Sequence, residues 1–190
     1  LAQPGTQQRD AHFARTGMRI AYRLGQFWQL IYPSPLPPEA WREIESVLSP
    51  AEAALFRRFG DADRRHSYRV MRALRGAGED EPALLVAALL HDVGKTGVRV
   101  HLWERVVGAL GERFFPRKAR AWGSGEAQGW RRPFAIRVQH AEWGAAMAEE
   151  AGSAPLAVCL IRRHQDKEPK HLDAGFARLL RRLQWADDQN

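Results

Sequence analysis

A chain of 190 residues with 45% hydrophobic content, seven Trp and eight Phe has the apolar material for one sizeable core, which excludes wholesale disorder. Its longest apolar run, residues 83–90, is far shorter than the roughly 20 residues of a membrane-spanning helix, and one cysteine, Cys159, cannot close an internal disulfide. The formal charge of +7, from 29 basic and 22 acidic residues, favours anionic partners such as phosphates, nucleic acid or acidic lipid without choosing among them.

Residues 1–17 read as a flexible polar tail with no signal-peptide core, so the expected location is cytoplasmic. Residues 18–48 read as an N-terminal helical segment. In it "TGMRIAYRLGQFWQLIY" is an amphipathic helix stopped by Pro33, Pro35, Pro37 and Pro38, and a short helix follows around Trp41. We read the first helix as packing on its own domain rather than lying on a membrane through Phe27, Trp28, Leu30 and Ile31.

Residues 49–190 read as a single domain. Ser49-Pro50-Ala51-Glu52 has the form of a capping box with proline at the first helical position, which predicts a helix start. Gly60 interrupts that helix, and "DADRRHSYRVMRAL" forms the next. "GEDEP" then introduces a central apolar helix, which Gly94 is expected to close as a left-handed cap. A helix over 98–114, a loop rich in Gly, Arg and Trp over 116–133, and helices over 134–151, 155–164 and 172–188 complete the pattern. Cys159, inside "LAVCLI", is expected to be a buried, reduced thiol. Strand-like alternation is scarce, so the predicted fold class is all-α, a helical bundle.

The stretch "ALLVAALLHDVGKTG" runs apolar and then places His91, Asp92 and Lys95 within one turn. Elsewhere polar groups also sit on apolar stripes. His66 shares a helical face with Val70, Ala73 and Leu74, whereas Arg65, Arg69 and Arg72 take another. His140 lines up with Ile136, Trp143, Gly144, Met147 and Ala151, and His164 ends the stripe of Ala157, Leu160 and Ile161. In the last helix Phe176, Leu180, Leu183 and Asp187 step by four, three and four, which turns Asp187 inward and Asp188 elsewhere.

Any one of these histidines alone reads as a hydrogen-bonded core residue. Four of them converging with two aspartates read differently. An unpaired buried polar group costs about 1–3 kcal/mol and a carboxylate more, and a divalent cation satisfies all of them together. The mixed nitrogen and oxygen set suits Mn, Fe, Co, Ni or Zn better than Mg or Ca. His12, His101 and His171 show no such convergence, and Asp166 reads as a solvated loop residue.

These residues resemble the HD-domain superfamily of metal-dependent phosphohydrolases, whose signature is a His, a His-Asp pair and a distant Asp, all on helices. Here those are His66, His91-Asp92 and Asp187, and "LLHDVGK" is similar to the central motif of the HDxGK type. The resemblance spans about 50–188. It implies that His66, His91, Asp92 and Asp187 hold one metal ion, with Asp92 bridging to a second held by His140 and His164, as in the two-metal subgroup. A one-metal site whose two further histidines contact phosphate stands beside that arrangement.

The resemblance also implies an enzyme that cleaves a phosphate ester, of a nucleotide or nucleotide-like anion, with metal-activated water. Asp92 and Lys95 would be its catalytic residues, the Lys95 ammonium stabilising charge that grows in the transition state. Arg117, Lys118, Arg120, Arg131 and Arg132 are candidates to grip an anionic substrate, and Trp122 and Trp130 to stack on a base. The chain lacks the Gly-Tyr-Pro signature of the cyclic-di-GMP phosphodiesterase branch, the adjacent acidic pair of the alarmone hydrolases and the His-rich continuation of the dNTP triphosphohydrolases. Two readings from other classes are a noncatalytic nucleotide or cyclic-dinucleotide sensor and a basic nucleic-acid binder with a structural metal. The intact ligand set favours the enzyme, and no helix-turn-helix or RNA-binding signature supports the last.

Overall fold

Among the described residues, proline stands in the first turn of six helices, because its fixed φ suits that turn and its missing N–H is not needed there. The structure, a computed structural model, describes residues 34–97, 101–166 and 173–190, without the side chains of Leu102, Arg105 and Glu112. Among the described residues run nine α-helices: α1 (Pro38–Glu45), α2 (Pro50–Phe56), α3 (Asp61–Gly76), α4 (Pro82–Leu90), α5 (Leu102–Phe114), α6 (Pro116–Gly123), α7 (Arg132–Glu150), α8 (Pro155–Arg163) and α9 (Ala174–Asp188). Two 3-10 turns, Val93–Gly97 and Gly129–Arg131, join α4 to α5 and precede α7. No strand occurs among these residues, as the all-α pattern of the sequence requires. The amphipathic helix expected before the proline cluster lies outside the described residues. Leu36–Asn190 form one unit by their contacts.

A helix apolar on every side has to be surrounded by other elements. All of Ala83 to Leu90 in α4 are buried, and α2, α3, α8 and α9 pack around it. The axial helix therefore ends in the middle of this unit, and its C-terminus delivers His91 and Asp92 there. The predicted capping box of α2 forms: Ser49 Oγ accepts from the Glu52 N–H at 3.3 Å, and Glu52 Oε2 accepts from the Ser49 N–H at 2.8 Å. Glu52 is buried, and its other oxygen accepts from the Ser153 hydroxyl at 2.7 Å, which ties α2 to the connection between α7 and α8. At the opposite end Glu43 of α1 accepts from Tyr68, Arg72 and Arg75 of α3 at 2.6, 3.1 and 2.8 Å.

Three expectations are corrected. Gly94 does not cap α4 in the left-handed region. Among the described residues only Gly78, Gly129 and Gly152 have positive φ, and Gly94 continues the chain in the 3-10 turn. It is needed for close approach: a Cβ there would fall 2.0 Å from the His140 carbonyl oxygen and 2.6 Å from the Gly144 nitrogen, so only glycine lets this turn lie on α7. The expected loop over 116–133 begins instead as α6, because proline followed by Arg, Lys and Ala is a sound helix start. Cys159 is exposed, since the inward stripe of α8 is Ala157, Leu160 and Ile161 and position 159 falls on the far side of the helix.

Candidate metal centre

Five helices bring polar side chains to the end of α4. His66 stands one and two turns before the buried Val70 and Leu74 of α3, with its Nε2 2.9 Å from Asp187 Oδ1 at the end of α9. His91 follows the last residue of α4, His140 lies midway along α7, and His164 follows the last residue of α8. The imidazole rings form a chain, His66 to His91 at 5.3 Å, His91 to His164 at 5.2 Å and His164 to His140 at 5.3 Å between centroids. All six predicted ligand residues therefore meet in one place.

The tautomers follow from what each Nδ1 touches. His91 Nδ1 lies 3.0 Å from the Ala88 carbonyl oxygen, His140 Nδ1 3.0 Å from those of Ile136 and Arg137, and His164 Nδ1 2.7 Å from that of Ile161. A carbonyl oxygen only accepts, so each Nδ1 carries a proton, which leaves Nε2 as the ring position turned toward the cluster. These bonds arise within the helices themselves, from carbonyls three or four residues back.

His91 and His140 are buried, and their Nε2 atoms have no hydrogen-bond partner among the described residues. Buried polar atoms are nearly always satisfied, so two orphaned ring nitrogens beside carboxylates fit a cation. The two oxygens of Asp92 divide between the neighbours. Oδ2 lies 3.6 Å from His91 Nε2 and 2.5 Å from Lys95 Nζ, whereas Oδ1 lies 3.2 Å from His140 Nε2 and 3.9 Å from His164 Nε2. His66, His91 and Asp187 form one group able to hold a metal ion, and Asp92, His140 and His164 form another.

Electrostatics keep His164, Asp92 and Asp187 in ligand-competent states and work the other way at His91. Burial pushes the His164 pKa down to about 3, and the neighbouring His91 adds to that, so this ring is neutral at ordinary pH. Burial works against charge on Asp92, yet His91, Lys95 and His140 outweigh it and hold the carboxyl well below the usual range. Asp187 is likewise lowered despite burial, chiefly through His66 and His91. His91 is raised, because the Asp92 and Asp187 charges outweigh its burial.

A cleft of about 1020 Å³ opens beside the cluster, with His164 and Asp187 in its lining together with Arg120 of α6 and Arg137 of α7. The other sequence candidates lie outside that lining. Arg132 pairs with the buried carboxylate of Glu104, Arg131 lies over the Trp130 ring at 5.3 Å, Lys118 lies over Phe115 at 5.9 Å, and Arg117 is exposed. Trp122 packs on Trp130 and Phe134 at 5.3 and 5.1 Å. Two residues that carry no signal in the sequence, Arg137 and Gln184, line the cleft. Arg137 precedes His140 by three positions, a spacing that puts both on neighbouring faces of α7. Gln184 donates to the carbonyls of His164 at 3.0 Å and Asp166 at 2.8 Å, which holds the end of α8 against α9.

No curated protein and no solved structure matches the chain. The family model of the HD domain does match it, over residues 64–188. That span opens two residues before His66, closes one past Asp187, and takes in every ligand candidate between them. It covers well over half the chain, which belongs to the HD domain family, a group made up generally of metal-dependent hydrolases.

Proposed function

We propose that this protein is a phosphohydrolase of the HDxGK type with a two-ion centre, and that it cleaves a phosphate ester of a nucleotide or nucleotide-like anion. The observation that carries the reading is the pair of orphaned Nε2 atoms on His91 and His140, turned toward one carboxylate, Asp92. Its Oδ1 stands with His140 and His164 in one ligand group and its Oδ2 lies 3.6 Å from His91 of the other, which would suit a bridging role better than a single-ion site. Divalent transition-metal ions held there supply a Lewis acid and a water whose pKa falls to about 7.

The protein's own groups do the rest. The backbone carbonyls behind His91, His140 and His164 hold the rings in one tautomer and orientation. Lys95 positions Asp92 at 2.5 Å and brings a cation to where charge develops on a phosphoryl group. Arg120 and Arg137 in the cleft lining bind the anionic substrate, and Arg117, Lys118, Arg131 and Arg132 act through the field they add around it.

Metal analysis of the purified protein, followed by a turnover screen over nucleotides, cyclic dinucleotides and generic phosphate esters, tests this. The expected result is a transition metal in the wild-type protein, lost with activity in Asp92→Ala, and a Lys95→Ala variant that keeps its metal but loses roughly 10²–10³-fold in kcat. An Asp92→Ala protein with unchanged metal content and turnover refutes the assignment.

A further inference from the structure

The helix α5 is built inside out. Its protein-facing stripe consists of Glu104, Gly108 and Gly111, all buried, and a Cβ on Gly111 would meet the Phe134 ring at 2.3 Å. Its large apolar residues, Trp103, Val106, Val107, Leu110 and Phe114, recur at steps of three, one, three and four, which gathers them on one stripe about 100° wide. That stripe faces outward: Trp103 is 55%, Leu110 51% and Phe114 66% exposed. Phe115, directly after Phe114, and Trp130, before α7, are exposed as well. Scattered exposed apolar residues need no explanation, but a continuous stripe of large ones does.

Charge identifies the occupant. Residues 101–133 hold seven basic and three acidic residues, so they carry +4 of the chain's +7. One of the three acids, Glu104, is buried and paired with Arg132. Arg113, Arg117 and Lys118 are exposed next to the stripe, and the exposed rings of Phe115 and Trp130 each have a cation over them. Two such faces would repel one another, which disfavours a second copy of the chain. An aromatic and aliphatic stripe edged by cations complements an anionic lipid surface, where rings settle at the headgroup level and arginines meet phosphate. With 13 residues, α5 is too short to cross a bilayer, and no helix among the described residues is long and apolar enough to do so.

We propose that α5 and the start of α6 form a peripheral docking face for anionic membrane surfaces. The face is independent of the metal ligands. Gly108, on the buried stripe of α5, lines the cleft, so the side of the helix that borders the cleft is not the side that docks.

Vesicle flotation of the full chain tests it, with phosphatidylcholine vesicles prepared with and without phosphatidylserine. The wild-type protein is expected to float with the phosphatidylserine vesicles, to release as salt is raised, and to bind the neutral vesicles weakly. The double variant Trp103→Glu/Leu110→Glu is expected to lose at least about tenfold in partitioning. Because both positions are exposed, its circular dichroism and thermal midpoint should match wild type. In a second variant, Arg117→Glu/Lys118→Glu, the apolar stripe stays intact and binding falls about fivefold or more for each charge. Absence of flotation, or flotation unchanged in both variants, overturns the proposal. So does a solution dimer dispersed by the first double variant, which would assign the face to a second copy, or a soluble protein partner that binds wild type when vesicles do not.

Discussion

Replacing Gly94 with alanine isolates the contact that holds the two halves of the candidate centre together. The new Cβ would start 2.0 Å from the His140 carbonyl oxygen, where real Cβ atoms essentially never come within 3.0 Å, so the Val93–Gly97 turn has to move from α7 by about 1 Å. Both partners are backbone, and no rotamer change relieves the clash. Overpacking usually costs about 1–3 kcal/mol, and a backbone clash belongs at the top of that range. The substitution also removes unfolded-state freedom at a position without positive φ, which returns about 0.4–1 kcal/mol. The net loss is about 2–3 kcal/mol. The same movement carries Asp92 away from His140, now 3.2 Å apart, and ligand distances tolerate only about 0.2 Å of misfit. Metal content should fall with stability. The matched control is Gly97→Ala in the same turn, where a Cβ meets nothing within 4 Å and the change should stay within about 0.5 kcal/mol. Urea unfolding of the two variants, with metal analysis on the same samples, checks the reasoning. A Gly94→Ala protein as stable as Gly97→Ala and still loaded with metal refutes it.

Ser153→Ala should lower the unfolding free energy by about 1–3 kcal/mol in denaturant titration, because it leaves the buried Glu52 Oε1 without its donor; a loss under about 0.5 kcal/mol contradicts that role. At Glu43, burial works against the charge, but hydrogen bonds from Tyr68, Arg75 and Arg72 outweigh it and lower the pKa. The stability this contributes is present above the ordinary value of 4.5 and is lost as pH falls through the lower folded value. Glu43→Gln should therefore cost about 1 kcal/mol at neutral pH, and the gap to wild type should close in acid unfolding experiments; a gap that widens in acid would reverse the sign argued here. Metal affinity should rise with pH, since the raised pKa of His91 means a proton must leave before the ring can ligate. Calorimetric titrations from about pH 6 to 8 that give a constant affinity would exclude His91 as a ligand.

Much was decided within single helices, and that part was legible in the sequence. A helix has a fixed period, so spacing alone turns His66, His140 and Asp187 toward the apolar side, and the apolar run of α4 has to be central. The capping box at Ser49 and the HD motif are equally local. Spacing cannot decide which of two candidate faces a helix buries. In α5 hydropathy points to Trp103, Leu110 and Phe114, yet Gly108 and Gly111 face the protein, because close approach to α7 depends on the partner helix. Gly94 likewise has the local signature of a cap, and only α7 beside it reveals the close approach. Arg132 is drawn to Glu104, 28 positions away, and Arg137 reaches the cleft, since contacts between distant segments leave no local period. Sequence by itself determined the helices, their inward polar groups and the chemistry of the donor set; only packing decided which glycines, cations and apolar stripes met a neighbour and which were left facing outward.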